Sequence, residues 1–232
     1  MQIGILKTGE PPAGLGAPVP SYPEMIRSVF GPGYISHDFD VTKGVLPAHQ
    51  SPLDAYVITG SASGVHDAES WIAHLRDWLK ALNPKIPLIG ICFGHQIMAE
   101  AYGGAVERSS HGWAGGLREY QVKHCEPWMD EVSRFLLPIA HQDHVVLPPA
   151  SSRVIAANAV CPFAALSYTE RRALSFQAHP EFTRDYAALL TDFQLRQGSI
   201  TASEAHRAKE SLRLSNDCAR VVSWIRAFLG GT

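Results

Sequence analysis

No run of about twenty apolar residues occurs in the 232-residue chain, so nothing in it reads as a bilayer-spanning helix. The first residues, Met1-Gln-Ile-Gly-Ile-Leu-Lys7, lack the pattern of a signal peptide. Charge is sparse as well. Lys and Arg number 20 against 22 Asp and Glu, a formal net charge of −2, and no five like charges stand together. That excludes the electrostatic footprint of a nucleic-acid binder and of a basic membrane anchor. Cysteine is scarce too: Cys92, Cys125, Cys161 and Cys218 lie far apart with no C-x-x-C pair. Such usage suits a reducing, cytoplasmic setting, in which each thiol is expected to be a buried small residue. No repeat or low-complexity segment is visible.

What is present is an ordinary globular composition. Hydrophobic residues make up 46% and charged residues 18%, enough apolar material for a substantial core. The length leaves no room for a second full-sized catalytic domain, and residues 1–232 are expected to form one domain.

The first half alternates short apolar runs with helical patterns. Ile3 to Leu6, Tyr34 to Val41, Ala55 to Thr59 and Pro87 to Cys92 read as strands. Ser21-Tyr-Pro-Glu24 has the form of a capping box with proline in the first turn, and predicts a helix start. Trp71, Ile72, Leu75, Trp78, Leu79 and Leu82 share one helical face, so both tryptophans are expected in the core. Glu10 to Pro20, rich in proline and glycine, reads as a mobile loop over one face. This order implies an α/β fold: a mostly parallel central sheet with helices on both faces. Shorter strand-like pieces follow at Leu117 to Val122, Pro138 to His141, Arg153 to Ala157, Phe163 to Tyr168 and Ala173 to Gln177, and a smaller antiparallel strand region is expected in this second half. Helical patterns near Tyr186 to Phe193 and Val221 to Leu229 close the chain, with Gln197 to Thr232 a helical C-terminal extension.

Two stretches carry chemistry. Gly90-Ile-Cys92-Phe-Gly94-His-Gln96 has the form G-x-C-x-G between strand and helix, the arrangement of a nucleophile elbow with Cys at its apex. A sharp strand-to-helix turn strains the central residue, and glycines on either side let the chain pack closely. The following helix presents its N-terminal amides to the thiol, which favours the thiolate, and the Phe93 amide is aimed to stabilise an oxyanion. The same string also describes a buried cysteine in a tightly packed turn. Ala178-His179-Pro-Glu181 supplies a base. In extended chain, residues i and i+2 share a side, so Glu181 could orient the His179 ring, with Pro180 fixing the backbone between them. Taken alone, His-Pro-Glu is more often a surface turn than a catalytic pair. His95, next to the elbow, reads as a hydrogen-bonded helix-start residue. Asp143 and His144, adjacent on a strand, would splay to opposite faces, which argues against a metal site there.

Together, G-x-C-x-G-H-Q and the later His-Pro-Glu resemble the class I (triad) glutamine amidotransferases. The resemblance runs from about Ile3 to Phe193. Val57-Ile-Thr-Gly60-Ser-Ala-Ser63-Gly-Val resembles the family's oxyanion strand-loop, His111-Gly-Trp113-Ala-Gly-Gly116 its Gly-Trp segment, and His141-Gln-Asp143-His144-Val its His-x-Asp segment. The closest flavour is the stand-alone branch similar to the glutaminase part of GMP synthetase, which also includes γ-glutamyl peptide hydrolases.

That resemblance implies a flavodoxin-like fold and hydrolysis of the γ-amide of glutamine through a cysteinyl thioester, with no metal or cofactor. Cys92 would be the nucleophile, His179 the base and Glu181 its orienting carboxylate. Amides of Phe93 and of Gly60 or Ser61 would hold the oxyanion, and Ala62, where proline is usual, leaves the choice between those two open. Gln96, with backbone near Gln142 and Asp143, would bind the amino-acid end of the substrate. The ligand would be glutamine or a small γ-glutamyl compound, and the partner a separate synthetase that takes the ammonia. The alternatives are a free-standing γ-glutamyl hydrolase and a non-catalytic binding module of the same fold. Cys125, Cys161 and Cys218 are expected to be structural.

Overall fold

The structure is a computed structural model in which residues 1–110 and 112–230 are described. The first half runs β1 (Gln2–Lys7), α1 (Tyr22–Phe30), β2 (Ile35–Asp40), β3 (Ala55–Ile58), α2 (Ser70–Ala81), β4 (Leu88–Ile91) and α3 (Phe93–Ala101). Its boundaries follow the local signals. Ser21 caps α1, and the Glu24 carboxylate accepts from the Ser21 amide at 2.7 Å, closing the expected capping box. Strands β5 (Ala105–Arg108), β6 (Ala114–Val122), β7 (Arg134–His141), β8 (Asp143–Leu147), β9 (Ser152–Ala157), β10 (Ala165–Tyr168) and β11 (Ala173–Phe176) follow. Helices α4 (Arg184–Arg196), α5 (Ala202–Ser211) and α6 (Cys218–Gly230) end the described chain.

Nine strands form one sheet in the order β2-β1-β3-β4-β11-β10-β9-β6-β7. The five from β2 to β11 run parallel, and the four beyond them extend the same sheet antiparallel. Strands β5 and β8 pair separately as a two-stranded antiparallel sheet. Because side chains alternate along a strand, the parallel half is apolar on both faces. Ile3, Val57, Ile89 and Leu174 face α1 and α6; Leu6, Ile58, Leu88 and Ala173 face α2 and α3. Trp71 and Trp78 are buried in the latter layer.

Two expectations change. The segment from Glu10 to Pro20 is a loop, but Leu15 is buried among Tyr22, Phe182, Tyr186 and Leu190, and Arg196 donates to the Gly14 carbonyl at 2.9 Å. It is tied to α1 and α4, because Leu15, with Val19 packed beside it, finds apolar cover there. The four cysteines are free, but Cys218 is only half-buried and Cys125 is exposed rather than buried. It stands just beyond the end of β6, its thiol directed at the Glu126 and Asp130 carbonyls at 3.8 and 3.9 Å.

Candidate active site

Cys92 sits between β4 and α3 with φ of 52° and ψ of −103°, the one non-glycine residue with positive φ among the described residues. That conformation is strained for an L-residue and is held by its surroundings. The Cys92 amide donates to the Phe176 carbonyl of β11 at 2.8 Å, and the Cys92 carbonyl accepts the first helical bond, from Gln96. Both flanking glycines are required. A Cβ on Gly90 would stand 2.5 Å from the Met98 sulfur and 2.6 Å from the Gly94 carbonyl carbon; one on Gly94 would stand 2.6 Å from the Ile58 carbonyl oxygen. The Phe93 amide opens α3, where no carbonyl one turn earlier can accept it.

His179 and Glu181 lie just past β11, each almost wholly buried. His179 Nδ1 and Glu181 Oε1 are 2.7 Å apart. They meet in a turn rather than in extended chain, since the Phe182 amide donates back to the His179 carbonyl at 3.3 Å. Pro180 occupies the position whose fixed φ suits such a turn. The imidazole stacks on Phe182 at 3.8 Å between centroids, and Phe182 belongs to the cluster that covers Leu15. Nε2 has no hydrogen-bond partner among the described residues. Burial alone would lower the pKa of His179, but the Glu181 carboxylate and the Cys92 sulfur together raise it above the ordinary histidine value. A thiol, an imidazole and a carboxylate disposed in this way can relay a proton.

The loop after β3 closes over this group. A Cβ on Gly60 would meet His179 Cε1 at 3.1 Å and Cys92 Cβ at 3.7 Å, so only glycine leaves room for the ring. The Gly60 carbonyl accepts from the Thr8 and Thr59 hydroxyls at 3.0 and 3.1 Å. In a trans peptide the N–H points opposite the C=O, so these two buried threonines turn the Ser61 amide away from the sheet interior.

A cavity of about 90 Å³ adjoins Cys92, with Ser61, Gln96, Arg108, Trp113 and Asp143 in its walls. Gln96 gives both amide hydrogens to the protein, one to the Asp143 carbonyl at 2.8 Å and one to Gln177 Oε1 at 3.1 Å. Gln177 in turn donates to the Cys92 sulfur at 3.6 Å. The Gln142 carbonyl accepts from the Ser109 amide at 2.9 Å, and the Asp143 carbonyl also accepts from His141 Nδ1 at 3.0 Å. The Asp143 carboxylate is therefore the group of that pair free to face the cavity; its Oδ1 lies 3.5 Å from Arg108 Nε without forming a hydrogen bond.

A family model described as class I glutamine amidotransferase matches residues 36–194, more than half of the sequence. The chain belongs to the class I glutamine amidotransferases. Among its relatives, γ-glutamyl peptidase 2 of Arabidopsis thaliana is 29% identical over 201 residues, covering 83% of this chain and 81% of that one. One component of the glutamine-hydrolysing GMP synthase of Methanococcus aeolicus is 31% identical over 115 residues, 49% of this chain and 61% of that protein. A glutamine amidotransferase from Thermotoga maritima shares the fold with a TM-score of 0.72 at 16% identity, over 98% of this chain and 95% of that one.

The fold brings Cys92, His179, Glu181, Phe93, Gly60 and Ser61 into one group and sets Gln96, Gln142 and Asp143 beside it. His111, which begins the Gly-Trp segment, lies outside the described residues. His95 is fully buried against the Ser175 hydroxyl at 2.8 Å, and burial lowers its pKa to about 3, so it is a neutral core residue. Asp143 and His144 do diverge along β8, the first lining the small cavity and the second a larger one. Sequence reasoning missed Gln177, Arg108 and the carboxylate of Asp143. Only Gln177 had a signal, its place two residues before His179.

Proposed function

We propose that this chain hydrolyses the γ-amide bond of glutamine and of γ-glutamyl compounds through a cysteinyl thioester. Cys92 gives its proton to His179 Nε2 and attacks the γ-carbonyl carbon as the thiolate, in keeping with the raised pKa of the ring. The tetrahedral oxyanion is held by the Phe93 and Ser61 amides, the latter chosen because Thr8 and Thr59 fix its peptide. His179 passes the proton to the leaving nitrogen, then removes one from the water that cleaves the thioester. Glu181 sets the ring's tautomer and balances the imidazolium charge. The amino-acid end of the substrate lies in the small cavity, its ammonium toward Asp143 and its carboxylate toward Arg108. With glutamine the product is ammonia, which a separate acceptor enzyme would consume; the relative from Methanococcus aeolicus, part of a synthase by name, is consistent with that use.

The observation that carries this reading is the stacked, Glu181-held imidazole that faces the strained cysteine, its Nε2 left without a nitrogen or oxygen partner among the described residues. Ammonia release from glutamine by purified protein tests it. Cys92→Ala is expected to lower turnover by roughly 10³-fold or more. Trapping of a glutamyl adduct at a residue other than Cys92, or full activity in the variant, would overturn it.

A further inference from the structure

Beside the small cavity lies a larger one of about 250 Å³, and the two share Trp113, Ala140, His141 and Gln142. Its walls come from the first residues of β6, the end of β7, and helices α4 and α5. Space has been left for it at Gly115, where a Cβ would touch only Ala208 Cβ and Thr191 Oγ1, both at 3.9 Å. Next along the strand the packing is the reverse: a Cβ on Gly116 would stand 2.7 Å from the Ala208 Cα. The chain therefore closes tightly on one side of the cavity and stays open on the other.

The charges in this wall are unequal. Glu204 is committed to capping α5, accepting from the Thr201 amide and hydroxyl at 2.7 Å each. Arg207 is exposed and donates to the Ser203 hydroxyl. Arg118 is half-buried, its one hydrogen bond runs to the neighbouring Leu117 carbonyl at 3.2 Å, and it has no carboxylate partner among the described residues. An uncompensated guanidinium in a largely apolar recess is costly, and an anionic ligand group would offset that cost. At the junction, His141 donates from Nδ1 to the Asp143 carbonyl, and burial with its cationic neighbours lowers its pKa to about 4. The wall that the two cavities share thus includes an uncharged ring.

We infer that the larger cavity is the leaving-group subsite, and that it takes an α-amino acid or short peptide whose free carboxylate pairs with Arg118. The inference rests on the hydrolase reading of Cys92. The γ-amide C–N bond breaks, the thiol proton reaches the leaving nitrogen through His179, and the amino acid departs as a free amine. Water then adds hydroxyl to the acyl carbon and returns a proton to the Cys92 sulfur. No oxidant or further reactant is needed.

The test compares kcat/KM for three substrates: glutamine, a γ-glutamyl dipeptide, and the same dipeptide with its C-terminal carboxylate amidated. Wild-type protein is expected to prefer the free dipeptide over its amide by about tenfold or more, the worth of a charge-assisted hydrogen bond. In Arg118→Gln that ratio should collapse toward one. In Gly115→Leu, which fills the cavity, the ratio of dipeptide to glutamine should fall by about tenfold or more, with thermal unfolding as the check on folding. Equal cleavage of dipeptide and amide, cleavage of glutamine alone, or a preference surviving Arg118→Gln overturns the subsite and leaves the hydrolase standing. Cleavage of none of the three overturns the hydrolase reading, and the subsite with it.

Discussion

Gln177 joins two parts of the site that no local pattern connects. Its amide nitrogen donates to the Cys92 sulfur at 3.6 Å while its oxygen receives Gln96 at 3.1 Å, and both contacts cross from the end of β11 to the elbow beside it. A buried N–H aimed at sulfur stabilises the thiolate over the thiol, and hydrogen bonds to charged groups are worth about 1.5–3 kcal/mol. Gln177→Leu removes that donor while keeping comparable bulk. Alkylation of Cys92 by iodoacetamide at pH 7 should slow by roughly tenfold, since about 1.4 kcal/mol is one factor of ten. An unchanged rate would show that the contact does not support the thiolate. The residues legible in the sequence were those whose geometry is local. Cys92 follows from a strand-to-helix turn with glycines on both sides, and the pairing of His179 with Glu181 from their separation of two, although a turn brings them together. Gln177, Arg118 and the Asp143 carboxylate matter through strands brought together by the sheet, and a linear pattern does not contain that adjacency.

At the level of elements, α5 decides the shape of the larger cavity. It lies across β6, with the Ser211 hydroxyl accepting from the Leu117 amide at 2.8 Å and Ala208 against Gly116. Its start is fixed by a capping box in which Thr201 and Glu204 satisfy each other's backbone amides. Thr201→Ala should cost about 1 kcal/mol, or roughly 2–4 °C in Tm for a chain of this size. Because the cap borders the cavity, the same variant should lower kcat/KM for a γ-glutamyl dipeptide more than for glutamine. An equal loss on both substrates would detach α5 from leaving-group binding. Thr201-x-x-Glu204 is visible in the sequence, yet α5 has a weak apolar stripe, with only Ala205 and Ala208 buried, so its helical period is faint beside that of α2. The pairing of β5 with β8 was illegible for another reason. The two strands are short and partly polar, and they pair only with each other across a gap that contains β6 and β7.

Over the whole molecule, the alternation of strands and helices in the first half was enough to anticipate the parallel core. It did not say that the antiparallel strands continue the same sheet, because register between β11, β10, β9 and β6 is fixed by side chains meeting across the sheet. That continuity buries two histidines in neutral form: His95 on α3 against β11, and His141 at the end of β7. Burial holds their pKa values at about 3 and about 4, whereas both would titrate near about 6.5 in the unfolded chain. Between those limits the unfolded chain binds more protons than the folded one, so stability is fully present above about pH 6.5 and is lost as pH falls toward 4. His179 works in the opposite sense. Its folded pKa is raised by Glu181 and Cys92, so its contribution is complete below about pH 6.5 and is lost only as the pH climbs through that raised value. The Tm should therefore decline on the acid side while the carboxylates are still ionised, with a second decline on the alkaline side. Thermal unfolding from pH 4.5 to pH 9 measures both limbs, and imidazole ¹⁵N shifts assign them. Neutral-ring signals for His95 and His141 at pH 5 are expected; protonation of either with a midpoint near pH 6, or a Tm that is flat from pH 7 to pH 4.5, would refute the account.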